Sequence, residues 1–276
     1  MDAIVYTSKP EKKVNGSMFY CFEYFIFLKQ YLPRLKFIIM NVDRRNSNTA
    51  SDLEFFKNIF KDKYNFDHTH LNDIIFIKAV EFMMLNIKHV LMFDVHTYSQ
   101  MQDYLGRVET VFLYANKPNS QNYVNKNPRD TFYGWYDYQY ANVKARLKLY
   151  KEIHKTFAVR GDKIFITSPN GDNEAVAKML DIDPDDVLIK LPNDHHQGLF
   201  ERINKIIYWH FGNNDANNRL IVEAAIHNIP VEIHVNDHTD DSVQERKKLI
   251  EAGQVDELFL NKDDIMIKDF LKVCGA

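Results

Sequence analysis

Short apolar runs rich in β-branched residues recur along this chain, and helical patterns fill most of the gaps between them. The runs are Ala3–Tyr6, Phe37–Val42, Ile74–Ile77, His89–Phe93, Thr110–Tyr114, Lys163–Ile166, Val187–Leu191, Ile206–His210 and Val231–Val235. Near-continuous apolar strands are what a sheet buried on both faces requires, and a helix between successive strands is the usual parallel connection. The pattern predicts an α/β protein whose parallel sheets carry helices on both faces. No repeat or low-complexity tract interrupts it.

At 276 residues, the chain is long enough for two compact domains. A helix expected over about Trp135–Lys155 closes the first, and Arg160-Gly161-Asp162 introduces a fresh strand at Lys163. A net charge of −3 excludes global attraction to nucleic acid or an anionic membrane and leaves only local patches to do so. Cys21 and Cys274 lie near opposite ends, away from any metal-ligand or redox spacing, and are expected to be thiols in a reducing compartment. The chain opens on a strand, with no basic segment ahead of an apolar one. The aromatic stretch Phe19–Leu28 is interrupted by Glu23 and is far shorter than the roughly 20 apolar residues a membrane span needs. It reads as an amphipathic helix buried through Phe19, Phe22, Phe25 or Ile26, and Leu28. The expected location is cytoplasmic, in the host if the chain is viral.

The most informative stretch runs from Tyr208 to Val231 and packs a strand, a polar turn, a carboxylate-bearing helix and a second strand together. Asn217 or Asn218 can cap the helix. Asn228 tolerates the left-handed conformation that closes it, and Pro230 forbids continuation. Asp215 in the turn and Glu223 on the helix are then about 12 Å apart or a little less, the span of a sugar, a diphosphate and the near edge of a ribose. Between them lies a helix N-terminus that favours phosphate. Carboxylates at either end suit neighbouring hydroxyl pairs.

These residues resemble the donor site of retaining glycosyltransferases with the two-domain GT-B fold. That pattern is an acid, seven residues, Glu-Ala, a short helix end and Pro-Val. Asp215, Asn218, Glu223, Ala224, Asn228, Pro230 and Val231 fall on it in order. The resemblance implies that Asp215 binds hydroxyls of the transferred sugar and Glu223 the nucleotide ribose. It also implies two Rossmann-like domains, an acceptor-side one at 1–155 and a nucleotide-sugar-binding one at 156–276, whose sheets face a central cleft. The family usually has Glu at the first acid and glycines in the turn. Asp215 and the Asn-rich turn depart from this, and a shorter acid suits a different sugar. The same run also fits an ordinary α/β unit with an exposed Asp and a solvated Glu.

Other candidates follow from position. Gly16, in the loop after the first strand, permits close backbone approach and is a candidate wall of the donor or acceptor site, with Ser17 suited to cap the next helix. Asp94 and His96 stand just past the fourth apolar run, where α/β proteins place functional side chains. The resemblance puts such a His near the transferred sugar, while a capping Asp and a structural His explain the pair equally well. The turn Ser168–Asp172 lacks the base that holds the diphosphate in the family, so Arg219 and Lys190 are the substitutes. Asn193-Asp-His-His-Gln197 and His234–His238 lack a distributed ligand set, and neither a metal nor a cofactor is expected. His195 and His196 remain candidate contacts to the nucleotide base.

Phe132–Tyr140 is densely aromatic and leads into Lys144, Lys148, Lys151 and Lys155, a basic stripe at helical spacing. Aromatic rings with a basic stripe suit a nucleic-acid surface, though core aromatics before a solvated helix face have the same pattern. With the compact size and AT-rich codon bias, this segment is similar to phage enzymes that glycosylate modified bases in double-stranded DNA. The expected activity is retaining transfer of a sugar from a nucleotide-sugar. The alternatives are a sugar-nucleotide epimerase on the same fold and a non-catalytic nucleic-acid-binding protein.

Overall fold

The computed structural model describes residues 1–8, 16–41, 49–93, 95–114, 132–136, 161–167, 173–188, 197–209, 220, 223–224, 227–234, 248, 251–252 and 265–276. The chain forms two units, Met1–Leu149 with Lys262–Ala276, and Tyr150–Asn261. Each is built on its own parallel sheet.

In the first unit β1 (Asp2–Ser8), β2 (Lys36–Asn41), β3 (Ile74–Lys78), β4 (His89–Met92), β5 (Thr110–Tyr114) and β6 (Phe132–Tyr136) lie in the order β3-β2-β1-β4-β5-β6. All five pairings are parallel. This is the doubly wound order, with its switch point between β1 and β4. Alternate residues serve opposite faces. Ala3, Val5, Ile38, Met40, Val90, Met92, Val111 and Leu113 pack with residues of α3 (Ala79–Phe82) and α4 (Val95–Met101). On the other face, Phe37 meets Phe22 of α1 (Gly16–Lys29) and Phe60 of α2 (Thr49–Lys63), and the rings of Phe22 and Phe60 stack at 3.9 Å. Each such side chain taken fully out of water contributes roughly 1.5–3 kcal/mol.

Two expectations are corrected here. Helix α1 is buried on nearly every side rather than amphipathic, because the sheet lies beneath it, α2 flanks it, and Tyr24 packs on Phe93 at 4.5 Å. Its charged residues are therefore held internally. Glu23 accepts a 2.6 Å hydrogen bond from Tyr64, and Lys29 donates to Asp73 at 2.7 Å and to the carbonyl of Pro33. The helix expected from Trp135 does not begin there. Phe132–Tyr136 is the edge strand β6, paired with β5 through a bulge at Val111/Phe112, as the strand preference of aromatic residues favours. Residues 137–160 lie outside the described part.

In the second unit β7 (Lys163–Thr167), β8 (Ile203–Trp209) and β9 (Val231–His234) form a parallel sheet in the order β7-β8-β9. Of the expected strand Val187–Leu191, Val187 makes an isolated parallel bridge to Ile164, and residues 189–191 are not described. Helix α5 (Asn173–Met179) covers Ile166 and Ile207, while α6 (Gln197–Arg202) packs Leu199 and Phe200 with Phe165 and Ile206. Gly161 has a steric reason: a Cβ there would fall on the backbone carbonyl of Arg202, and the Gly161 N–H donates to Glu201 O at 2.8 Å.

The last helix, α7 (Ile265–Cys274), lies against β4 and β5 of the first unit, with Phe270 edge-on to Phe112 at 5.4 Å. A division at 155/156 leaves these residues with the second half. Ile267 and Phe270, three apart, instead bury themselves on the first sheet.

Candidate functional site

The stretch from β8 to β9 is the best-formed candidate. Strand β8 ends at Trp209, and residues 210–219 are not described. Leu220, Glu223 and Ala224 are helical. Leu220 and Ala224 join Ile206, Phe165, Leu199 and Phe200 in one core cluster, which fixes the helix on the sheet. The helix closes as its sequence requires. Asn228 takes φ +52°, the Ile229 N–H reaches back to Ala224 O at 2.8 Å, and Pro230 precedes β9. This six-residue return around a left-handed residue is a Schellman closure. The same device ends α5, where Asp181 has φ +53° and Ile182 donates to Ala177 O at 2.9 Å.

Glu223 is fully buried, at 0% exposure. A surface helix would leave such a side chain in water, where its charge costs nothing to keep. Withdrawing a carboxylate from water costs several kcal/mol unless hydrogen bonds or charges hold it. The solvated Glu of an ordinary α/β unit is therefore not what occupies this position.

At the carboxyl ends of the two strands, Trp209 and His234 are register partners with ring centroids 4.8 Å apart. On the same face His234 Nε2 lies 2.7 Å from Glu232 Oε1, and Glu232 also pairs with Lys205. The Lys205 ammonium holds the Glu232 carboxyl below the usual range against partial burial, and His234 adds to the effect. Sequence reading considered His234 only as a metal ligand and did not single out Trp209. The signal present in the sequence was that both residues fall near the carboxyl ends of apolar runs, where ligands of such sheets bind.

Asp215, Asn218, Arg219, Lys190 and Asp94 lie outside the described residues, as do His195, His196 and Lys144, Lys148, Lys151 and Lys155. Gly16 is the first residue of α1, one position ahead of the expected cap Ser17, a shift within the usual fraying of helix ends. His96 is in the first turn of α4, directly after β4, at the switch point of the first sheet. Among the described residues, no three His, Cys, Asp or Glu side chains are grouped to hold a metal ion, and no helix is long and apolar enough to cross a membrane.

Fold and site together define an α/β protein with two separate all-parallel sheets, consistent with two Rossmann-like domains, the second of which carries a buried acid on a strand–helix–strand turn. No protein-family model, curated protein or solved structure gives a significant match to the chain.

Proposed function

We propose that the chain is a retaining glycosyltransferase of the GT-B type, with the nucleotide-sugar donor held by the second unit. The observation that supports this most is the helix that carries Glu223, which closes on a left-handed Asn228 ahead of Pro230 and β9 in the way the donor-site pattern does. Glu223 binds the ribose hydroxyls and Asp215 orients the transferred sugar. Asn218 and Arg219, with Lys190 as the second candidate cation, receive the diphosphate. As the glycosidic bond loosens, positive charge grows on the sugar ring and negative charge on the departing phosphate, which amide dipoles and a cation stabilise. The acceptor attacks from the face the diphosphate leaves. The acceptor class favoured by the aromatic-basic segment Phe132–Lys155 is a modified or already glycosylated base in DNA.

Thermal stabilisation by UDP-, GDP-, CMP- and ADP-sugars tests the reading. Donor at 100 times its Kd stabilises by about 2.7 kcal/mol, a melting shift of several degrees. One nucleotide should give that shift, and Asp215→Ala and Glu223→Ala should abolish it while remaining folded. No shift with any donor sinks the transferase and favours a binding protein. Turnover of the donor without an acceptor favours the epimerase.

A further inference from the structure

At the switch point of the first sheet, β1 outruns β4. The two pair from Asp2 with His89 to Val5 with Met92, where β4 ends. Strand β1 continues to Ser8, supported on its other side by β2 as far as Asn41. Thr7 lies beyond the β4 ladder and is nonetheless buried, at 4% exposure, so its N–H needs another acceptor. Thr97 supplies it. The Thr7 N–H donates to Thr97 Oγ1 at 3.3 Å, and the two hydroxyls lie 3.1 Å apart. Thr97 is fully buried and belongs to the first turn of α4, next to His96.

We propose that Thr97 is a positioning residue, whose hydroxyl ties the first turn of α4 to the end of β1 and so fixes the backbone that carries His96 at the switch point of the first sheet. Tyr98 and Met101 anchor α4 to the sheet, but a buried apolar contact tolerates sliding that a buried hydrogen bond to a backbone N–H does not. A valine fills the same volume as the threonine and leaves the Thr7 N–H without this acceptor.

The inference rests on the transferase reading only where turnover is measured. His ring resonances of isotopically labelled protein are followed across pH, with the His96 signal identified by His96→Gln. Thr97→Val should displace that signal and its titration midpoint, with Thr97→Ala as a second hydroxyl-free variant if valine does not fold. Thr97→Ser should leave both native. Where His96 stands near the transferred sugar, as the resemblance implies, the hydroxyl-free variant should also lose about a hundredfold in kcat, the cost of a misplacement of about 1 Å, with the donor KM unchanged. An unmoved His96 signal in the hydroxyl-free variants overturns the proposal, as does a serine variant displaced as far as valine. If the native protein binds no donor, the transferase reading fails and the resonances still decide the role of Thr97.

Discussion

Replacing Glu223 with Gln separates a ligand-binding carboxylate from a structural one. The substitution keeps shape and removes charge at a side chain with 0% exposure. If the charge serves only the fold, its removal shifts stability and leaves donor binding untouched. If it binds ribose hydroxyls, each charge-assisted hydrogen bond lost is worth about 1.5–3 kcal/mol, or roughly 10- to 150-fold in affinity. A concentration that was 100 times the Kd then approaches the new Kd after a hundredfold loss. Ligand stabilisation falls from about 2.7 to about 0.4 kcal/mol. Calorimetric titration gives the affinity directly, and melting of the unliganded variant shows whether the fold survives. A folded Glu223→Gln that binds the donor as tightly as the native chain refutes the role of Glu223.

The other expectations concern stability and reactivity. Gly161→Ala puts a methyl on the Arg202 carbonyl and should cost the second unit about 1–3 kcal/mol, and an unchanged melting temperature contradicts the close approach. Partial burial raises the Asp73 carboxyl, but hydrogen bonds and charge from Lys29 and then Lys36 outweigh it and hold it below the usual range. Because the folded value is depressed, its stabilisation is present above the unfolded pKa of about 3.9 and is lost as pH falls through the lower folded value. Asp73→Asn should therefore lower stability at neutral pH and flatten the acid limb of a denaturation profile. An acid limb identical to the native one would contradict the pairing. Burial, helped by Asp2, pushes the Cys274 thiol up to about 12, so at pH 8 about one part in ten thousand is thiolate. Iodoacetamide should label Cys274 only after denaturation, and rapid labelling of the native chain contradicts that environment.

How much was legible depended on whether a residue answers to its neighbours in sequence or in space. The strand runs were legible because parallel strands buried on both faces must be apolar throughout, as Phe37–Met40 is. Asn228 was legible for a local reason. The left-handed conformation costs most residues about 1–2 kcal/mol and Asn less, and Pro230 two residues on leaves the helix nowhere else to stop. Trp135 was not legible, since five aromatic-rich residues ahead of a lysine stripe fit a helix start as well as a strand. The choice was made by pairing with β5, far away in sequence. The amphipathic reading of α1 failed likewise, because Glu23 and Lys29 look like a solvent face until Tyr64 and Asp73 arrive from α2's end and the turn before β3.

The same distinction separates the two candidate positions. Glu223 could be named from spacing alone, but its burial is set by the sheet and by the cluster of Leu220 and Ala224 with Phe165 and Phe200. Thr97 could not be named at all, because its partner lies 90 residues away and a threonine in a first helical turn is unremarked in any sequence. What makes it matter is a length mismatch. β4 stops at Met92 while β1 runs on to Ser8, and the backbone of β1 must bond to whatever the next turn brings. A site at a sheet's switch point thus depends on residues that secure the strand ends as well as on those that carry the chemistry. The former are found only once strand lengths are compared.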